Sequence, residues 1–244
     1  MKYLIQELEK IKKDEDSFLG CDGGNINAET WFCGVEFGSD IKGMSDYYNE
    51  IVKDKDKIPY REDCGKFKNS DFDRRLTIMY LKLFTEMENK HIINPTNIDE
   101  YLINKLYNQK SHGFKLNLFP IAKPDISFSK EINELLGFSK KEYYDLFKNR
   151  VLFFKRIIKQ HKPKNIICFS LQNHEQYFIK AFSSSDENYT FYWKEIKTSL
   201  GNLFNIKVIK NDKLKVIILP FLGRGNISSY QDVLSISEYL KKII

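Results

Sequence analysis

Glu36 has the residue type and the position expected of a catalytic carboxylate. It lies between Gly34 and Gly38, directly after an apolar run that begins at Trp31. An apolar strand followed by a glycine-containing turn presents a functional group at the carboxyl end of the strand, where open α/β sheets bind ligands. A carboxylate there could orient a water molecule or stabilise a developing positive charge. The simpler alternative is that both glycines only shape a turn and that Glu36 is solvated.

Asn117 is a polar residue inside an apolar run. Leu116, Leu118 and Phe119 surround it, and Pro120 follows the run. A buried side-chain amide must find hydrogen-bond partners, because an unpaired buried polar group costs free energy. Asn117 therefore either bonds neighbouring backbone groups or reads a ligand that offers both a donor and an acceptor.

A glycine-rich loop with the sequence FLGRGNISS follows the apolar run VIILP. In such a loop the backbone amides can approach a phosphate closely, and a guanidinium can bind it. The motif alone is nonspecific. The residues of this loop that are candidates for phosphate contact are Gly223, Arg224, Gly225, Asn226 and Ser228.

The hydrophobic pattern predicts alternating helices and strands that would position these residues. Short connections between a helix and the next strand, such as the one through Pro163, favour parallel α/β units. Predicted strands cover residues 31–35, 114–119, 165–170, 206–209 and 215–219. Predicted helices cover residues 3–13, 71–88, 94–108, 146–161, 172–182 and 229–240.

Capping residues define several of the predicted helix boundaries. Ser70 or Asp71 provides an N-cap for the helix that runs to about residue 88. Thr96, with Asp99 three residues later, has the pattern of a capping box. The last helix begins after a cap at either Ser228 or Ser229, which are also residues of the glycine-rich loop.

Three stretches lack a clear hydrophobic period and are interpreted as loops. Residues 14–27 contain a turn at CDGGN, and residues 183–204 form a loop that contains aromatic residues. Residues 41–70 form an irregular insertion or lid, because long loops without a packed element are uncommon unless they have a role.

Length and composition predict a globular α/β chain that forms one domain over residues 1–244, with 42% hydrophobic residues. The net charge of +6 is mild evidence for a polyanionic partner. The chain has no apolar run of about 18 residues, and its charged amphipathic start differs from a signal peptide. We therefore expect an intracellular, cytoplasmic protein that does not span a membrane.

The cysteine residues do not form a metal-binding or disulfide pattern. Cys21, Cys33, Cys64 and Cys168 lack a C-x-x-C pair, and Cys33 and Cys168 lie in apolar runs where a thiol behaves as a small hydrophobe. An iron–sulfur or zinc site would need closer spacing. We expect no disulfide framework, no metal ion, no cofactor and a monomeric chain.

The order of these motifs resembles that of the uracil-DNA glycosylase superfamily. The shared features are an acid in G-V-E-F-G after a strand, L-N-L at a strand end, the strand NIICFS after a helix, and VIILP before a glycine-rich loop. The resemblance spans most of residues 29–242 and consists of order and short motifs. It implies a three-layer α/β/α sandwich with a short, mainly parallel central sheet. It also implies that DNA is the partner and that the late loop contacts it.

The resemblance implies catalytic roles for Glu36 and Asn117. Glu36 occupies the motif that carries the water-activating residue, and Asn117 matches the Asn that hydrogen-bonds the edge of a flipped pyrimidine. Aromatic residues near the first loop are candidates for stacking on the base, and Phe37 replaces the Pro that usually follows the acid. The residues expected to contact the substrate are Gly34, Phe37, Gly38 and Tyr60.

Two departures from the family pattern bear on the substrate. Gly38 stands where the uracil-specific branch has a bulky Tyr that excludes substituents at C5, so a glycine leaves room there. The late loop lacks the His of the family's His-Pro-Ser motif, and Arg224 or Asn226 would have to replace it. Both departures favour a modified, C5-substituted pyrimidine at least as strongly as uracil.

We therefore expect a monofunctional DNA N-glycosylase that flips out a pyrimidine, hydrolyses the glycosidic bond without a metal and leaves an abasic site. Defence against modified phage DNA would be one use of that activity. Two alternatives stay open. The chain could be a catalytically inactive nucleic-acid-binding module on the same fold, which the missing His favours. It could also be an unrelated nucleotide hydrolase or transferase, although it lacks a G-x-x-x-x-G-K-[ST] element.

Overall fold

Helices and one seven-stranded sheet alternate along the chain. The computed structural model describes residues 2–35, 69–121, 137, 139–171, 174–183, 188–223 and 225–244. The helices of these residues are α1 Lys2–Lys12, α2 Asp71–Phe84, α3 Asn89–Ile92, α4 Pro95–Asn104, α5 Lys140–His161, α6 Glu175–Phe182 and α7 Tyr230–Lys241. The strands are β1 Cys21–Gly24, β2 Thr30–Gly34, β3 Gly113–Asn117, β4 Asn165–Ser170, β5 Thr190–Lys197, β6 Leu203–Lys210 and β7 Lys215–Pro220.

The sheet combines a parallel centre with antiparallel flanks. Its strand order is β1-β3-β2-β4-β7-β6-β5. The strands β3, β2, β4 and β7 are parallel neighbours, whereas β1 pairs antiparallel with β3 and the pairs β7–β6 and β6–β5 are also antiparallel. The parallel strands end at Asn117, Gly34, Ser170 and Pro220. We call this side of the parallel block the carboxyl edge and the opposite side the amino edge.

Side chains of the sheet alternate between two hydrophobic clusters. Trp31 and Cys33 of β2 belong to the first cluster, and Phe32 between them belongs to the second. This division follows from the two-residue period of a strand, which points successive side chains to opposite faces. Helices α1, α5 and α6 contribute buried residues to the first cluster, and α2, α4 and α7 contribute to the second.

Two predicted helix boundaries are explained by their caps. Ser70 accepts a hydrogen bond from the backbone N–H of Asp73 at 3.2 Å, which confirms it as the N-cap of α2. Helix α5 begins before the predicted residue 146, because Ser139 and Glu142 form a reciprocal capping box. It ends at His161, and its C-cap is the left-handed residue Lys162, directly before the proline that was expected to end the helix.

The predicted capping box at Thr96 and Asp99 is wrong. Asn94 is the N-cap of α4, and its side chain accepts from the backbone N–H groups of Thr96 and Asn97. Pro95 occupies the first turn, where its missing N–H has no helical partner to lose. At the last helix, the cap is Ser229, which accepts from the backbone N–H that lies two residues later.

The prediction of a loop over residues 183–204 is also wrong, because β5 lies within it. This strand pairs with β6 along its whole length and forms one border of the sheet. Phe191 is 51% exposed and Trp193 is 59% exposed. The strand therefore lacks the alternation of buried and exposed residues by which a half-buried strand is recognised in sequence.

The predicted turn at CDGGN contains the short strand β1 instead. Its register with β3 shifts between Cys21 and Gly23, which makes Asp22 the extra residue of a β-bulge. Gly24 has a φ of +115°, and a Cβ there would collide with the carbonyl oxygen of Gly113. Glycine thus permits the close approach of β1 to β3, and the bulge redirects the Asp22 side chain.

The helices of the described ranges include none that is long and apolar enough to cross a membrane.

Candidate functional site

The candidate site lies at the carboxyl edge, where charged and amide side chains from three elements are buried together. Lys115 and Asn117 share one face of β3, because side chains two residues apart on a strand point the same way. Asp22 comes from the bulge in β1, and Asp73 comes from the first turn of α2. Their exposed fractions are 7% for Lys115, 1% for Asn117, 0% for Asp22 and 5% for Asp73. Charged residues are rarely buried to this extent unless they are paired.

Lys115 connects the acidic residues of this cluster. Its ammonium forms an ion pair with Asp22 and lies 3.9 Å from Oδ1 of Asp73. The same nitrogen lies 4.9 Å from the centre of the Phe72 ring. The hydroxyl of Tyr107 donates a hydrogen bond to Asp73. Both carboxylates therefore have donors, and the ammonium has an anion and an aromatic face, which offset the cost of burying charge.

The side-chain amide of Asn117 is held by two acceptors. Its Nδ2 donates to the carbonyl oxygen of Gly20 at 3.0 Å and to Oδ2 of Asp22 at 3.2 Å. The backbone N–H of Asn117 also donates to the Gly20 carbonyl, at 2.9 Å. Both ends of the residue are thereby fixed to the segment that leads into β1, so the orientation of the amide is set before any ligand binds.

Gly34 lies beside Asn117 on the neighbouring strand and is its register partner. A Cβ at position 34 would collide with Oδ1 of the Asn117 amide. Glycine is therefore required here because the amide lies directly against the backbone. The predicted contact of Gly34 with substrate remains a prediction, but its structural role is to make room for Asn117.

Arg150 of α5 anchors the segment that carries Gly20 and Asp22. Its guanidinium is 0% exposed, and Nη1 donates to the carbonyl oxygen of Ser17 at 2.7 Å. Nη2 lies 3.5 Å from Sγ of Cys21, to which it donates. Since Arg150 grips residues on either side of Gly20, it holds in place the carbonyl and the carboxylate that bind Asn117.

The loop after β7 is anchored by its apolar residues. Leu222 and Ile227 are both 0% exposed, and the backbone N–H of Ile227 donates to the carbonyl oxygen of Phe221 at 3.1 Å. Gly225 at the tip has a φ of +78°, and a Cβ there would meet nothing within 4 Å among the described residues. The loop is therefore a closed turn whose tip faces open space.

The other predicted residues of this loop differ in exposure. Gly223 is buried, Asn226 is half-buried and Ser228 is exposed. The backbone N–H of Asn226 donates to the carbonyl oxygen of Gly223 at 3.1 Å. The carbonyl oxygen of Ser228 accepts from Nε of Arg75 at 2.8 Å, which ties the end of the loop to α2.

The first turn of α2 links the loop to the buried cluster. The Phe72 ring stacks on Phe221 at a centroid distance of 5.3 Å, and it also lies under the ammonium of Lys115. Asn117 ends β3 and the loop follows β7, with β2 and β4 between them. Three strand spacings amount to about 14 Å. The amide and the loop thus share one edge, as their places after parallel strands predicted.

Some of the site residues predicted from the sequence lie together in the structure, and others lie outside the described residues. The structure pairs Asn117 with Gly34 and places Gly223, Gly225, Asn226 and Ser228 at the same edge. Of the two explanations for the buried amide, backbone bonding is observed through Gly20, while reading of a ligand stays a prediction. The predicted site residues that lie outside the described residues are Glu36, Phe37, Gly38, Tyr60 and Arg224.

Sequence reasoning missed Asp22, Asp73, Lys115 and Tyr107. A signal for Lys115 was available, because it alternates with Asn117 in FKLN and must share its face on a strand. A lysine on the same face as a buried asparagine indicates a buried cation that needs a partner. The two aspartates gave no comparable signal, since one lay in a turn-like motif and the other in the first turn of a predicted helix.

The buried cysteines are unsuited to nucleophilic chemistry. Cys33 and Cys168 are register partners on β2 and β4, and burial raises the pKa of Cys33 well above its ordinary value. Burial also raises the pKa of Cys21 to about 11, although the nearby Arg150 opposes the shift. Cys21 and Cys33 are therefore protonated at neutral pH. Cys64 lies outside the described residues, and within those residues no group of three or more His, Cys, Asp and Glu side chains could hold a metal ion.

No family model matches the sequence, and no curated protein matches it.

Proposed function

We propose that the protein is a DNA glycosylase that flips a pyrimidine out of DNA and hydrolyses its N-glycosidic bond. The observation that carries the proposal is the fixed amide of Asn117 at the end of a central parallel strand. An amide held by Gly20 and Asp22 can read the edge of a base without losing conformational freedom when the base binds. The substrate class is a pyrimidine, either C5-substituted or uracil, and the product is an abasic site.

The three-layer α/β/α arrangement is part of the proposal. Hydrophobic clusters on the two faces of the sheet, each with its own set of helices, support it. Four central parallel strands end at the carboxyl edge, where open α/β sheets bind ligands.

Base release needs an anionic group near the sugar, because positive charge develops on the sugar as the glycosidic bond breaks. We assign this role to Glu36. It follows Gly34 by two residues, a stretch of chain that spans at most about 7 Å, and Gly34 is the register partner of Asn117. Asp22 is less suited to the role, because its carboxylate already binds Lys115 and Asn117.

The loop after β7 is proposed to contact the DNA backbone. Its position at the carboxyl edge and the open space at Gly225 support this assignment. Arg224 lies between Gly223 and Gly225, so a phosphate could meet a guanidinium and backbone amides together. The net charge of +6 agrees with a polyanionic partner.

The proposal is tested by incubating the protein with oligonucleotides that each carry one modified pyrimidine or uracil, and cleaving abasic sites with alkali. We expect strand cleavage at one or more of these bases. Asn117→Ala should slow release by at least about 100-fold, because a base-edge contact made in the transition state is lost. Asn205→Ala, at an exposed asparagine on β6, is the matched control and should leave release unchanged. Release that is insensitive to Asn117→Ala would contradict the assignment of the site.

The alternative, a nucleic-acid-binding module without catalysis, is favoured by one observation, the lack of a His in FLGRGNISS. The same oligonucleotides separate the two functions. Tight binding to DNA with no abasic site in any member of the panel would establish the module and exclude the glycosylase.

A further inference from the structure

The orientation of the Asn117 amide is determined by the chemistry of its partners. A carbonyl oxygen and a carboxylate oxygen can only accept hydrogen bonds. Since Gly20 O lies 3.0 Å and Asp22 Oδ2 lies 3.2 Å from the same end of the amide, that end must be the NH₂ group. The reverse orientation would place the amide oxygen against two acceptors, so both N–H bonds of Nδ2 are used inside the protein.

Asp22 keeps this orientation because its carboxylate is itself held. Lys115 forms an ion pair with Oδ2, the same oxygen that accepts from Asn117. Asp22 is 0% exposed, so water does not compete for the carboxylate. Arg150 holds Ser17 and Cys21, which flank the segment. The amide therefore cannot rotate without breaking a buried network.

The end of Asn117 that remains for a ligand is the acceptor Oδ1. It lies against the backbone of Gly34, and within the described part of the chain no group donates a hydrogen bond to it. An amide that could use both ends would pair with a base through one donor and one acceptor. Here only the acceptor is available, so the site can read only a donor on the base.

Pyrimidines differ in the donors that they present to such an acceptor. Cytosine carries an exocyclic 4-amino group, whereas uracil and thymine carry a 4-oxo group, which is an acceptor. The only ring donor of uracil and thymine is N3–H, which is flanked by two carbonyl oxygens. An acceptor that approaches N3–H is repelled by both oxygens, and a buried base oxygen left without a donor costs further free energy.

We infer that the site selects pyrimidines with a 4-amino group, the cytosine type, over pyrimidines with a 4-oxo group. Asp22 is the positioning residue for this choice, because it acts through the orientation of Asn117 and not through contact with the base. The inference rests on the proposed glycosylase function and specifies the substrate class of the same site.

The first experiment compares substrates two at a time, each couple differing only in whether the pyrimidine carries a 4-amino or a 4-oxo group. Each pair has the same C5 substituent and sequence context: cytosine with uracil, 5-methylcytosine with thymine, and 5-hydroxymethylcytosine with 5-hydroxymethyluracil. Single-turnover release is measured from alkali-labile abasic sites. We expect the 4-amino member of each reactive pair to be released faster, by roughly 5- to 150-fold. Equal release, or faster release of the 4-oxo member, would overturn the inference while leaving the glycosylase proposal intact.

The second experiment changes the positioning residue. Asp22→Asn replaces an obligate, charged acceptor with an amide that can also donate, so the Gly20 carbonyl alone still requires the NH₂ group of Asn117 and the orientation is held less firmly. The release ratio of the 4-amino to the 4-oxo member should fall by at least about fivefold. A merely structural role would lower both rates alike and leave the ratio unchanged.

Asp232 provides the matched control for that variant. It is 2% exposed and lies in the first turn of α7, where it accepts hydrogen bonds from Thr198 and Asn202 at 2.5 Å and 2.9 Å. Asp232→Asn also weakens a buried carboxylate network, and it should leave the release ratio unchanged. A similar fall of the ratio in both variants would refute a specific role for Asp22.

The experiments distinguish an error in the proposed glycosylase function from an error in the inferred preference for a 4-amino group. If no base of any pair is released, the glycosylase proposal fails, and the same oligonucleotides are then compared by equilibrium binding with fluorescence anisotropy. The inference requires tighter binding of the 4-amino member in that assay as well. Equal affinities for both members would overturn it.

Discussion

The two edges of the parallel block use their polar side chains differently. At the carboxyl edge, Asp22, Asp73 and Lys115 are buried and bonded to one another. At the amino edge, a cavity of about 410 Å³ opens near the start of β3, and its two lysines are exposed. The residues that line it include Phe84, Tyr101, Lys105, Lys110 and His112.

Helix α2 contributes to both edges, because its 14 residues span about 21 Å. Its first turn supplies Phe72 and Asp73 to the buried cluster, and its last turns supply Tyr80 and Phe84 to the cavity. In the cavity the Tyr80 hydroxyl accepts from the backbone N–H of His112 at 2.8 Å. This contact joins the segment before β3 to helix α2 without burying a charged group.

Buried charge, and not cavity volume, distinguishes the carboxyl edge from the amino edge. Removing an ion from water costs several kcal/mol even after the protein relaxes. Three ionic groups are buried at the carboxyl edge, whereas Lys105 and Lys110 of the amino-edge cavity are exposed to water.

Catalysis should depend on the carboxyl edge most strongly through Glu36. Glu36→Gln should lower base release by about 10²- to 10⁴-fold, because a neutral amide cannot supply the charge that the transition state needs. DNA affinity, measured by a filter or anisotropy assay, should stay nearly unchanged. Glu195→Gln, at an exposed position on β5, is the control. Equal losses of affinity and rate would instead indicate that Glu36 supports the fold.

Stability should depend on the carboxyl edge through Lys115. Lys115→Met removes the ammonium that pairs with the buried carboxylate of Asp22 and should lower the free energy of unfolding by about 3 to 5 kcal/mol. Lys105→Met, at the exposed lysine of the amino-edge cavity, should change it by less than about 0.5 kcal/mol. Urea unfolding followed by circular dichroism measures both. Equal losses of unfolding free energy in the two variants would contradict the claim that buried charge distinguishes the carboxyl edge from the amino edge.

The stability should fall in alkali because of Cys21 at the carboxyl edge. Burial raises the pKa of this thiol to about 11, from an ordinary value of 9.0. The unfolded chain therefore loses the proton first, and the free energy of unfolding decreases as pH rises from 9 to 11. The contribution of this group is about 2 to 3 kcal/mol. Cys21→Ala should flatten the decrease between those pH values, and an unchanged slope would show that the thiol titrates normally.

The smallest expected effect concerns the phosphate contact of the late loop. Arg224→Ala should weaken DNA binding similarly for all sequences and reduce the salt dependence of the affinity by about one charge. Lys110→Ala, at the amino-edge cavity, should leave the salt slope unchanged. If the two variants behave alike, the glycine-rich loop is only a turn between β7 and α7.

The accuracy of the sequence predictions varied with how local the signal was. Strand β4 was predicted at its observed bounds, because a fully buried strand is a continuous apolar run flanked by turn residues. Strand β5 was missed, because its exposed edge position removes the expected alternation. The cap at Ser70 was found from local sequence, whereas Asn94 was overlooked because Thr96 offered a competing capping pattern.

In the candidate site, too, the residues with a local sequence signal were predicted and those that depend on tertiary contacts were not. Asn117 was identified because a polar residue interrupts an apolar run. Its partner Asp22 was not, because the bulge that directs the carboxylate into the protein exists only when β1 pairs with β3. Gly34 was assigned to a turn or a ligand, and only the register of β2 with β3 shows that it accommodates the amide.

The sequence by itself determined the succession of helices and strands in the parallel block and the place of Asn117 at a strand end. Both depend on hydrophobic period and on turn residues, which act over a few neighbouring positions. Only the tertiary structure decided that Asp22 and Gly20 fix the orientation of that amide, that Lys115 pairs with Asp22, and that Asp73 lies beside Lys115. Charge pairing between a bulge, a helix and a strand leaves no local pattern, because each partner gains its role only when the others are buried beside it.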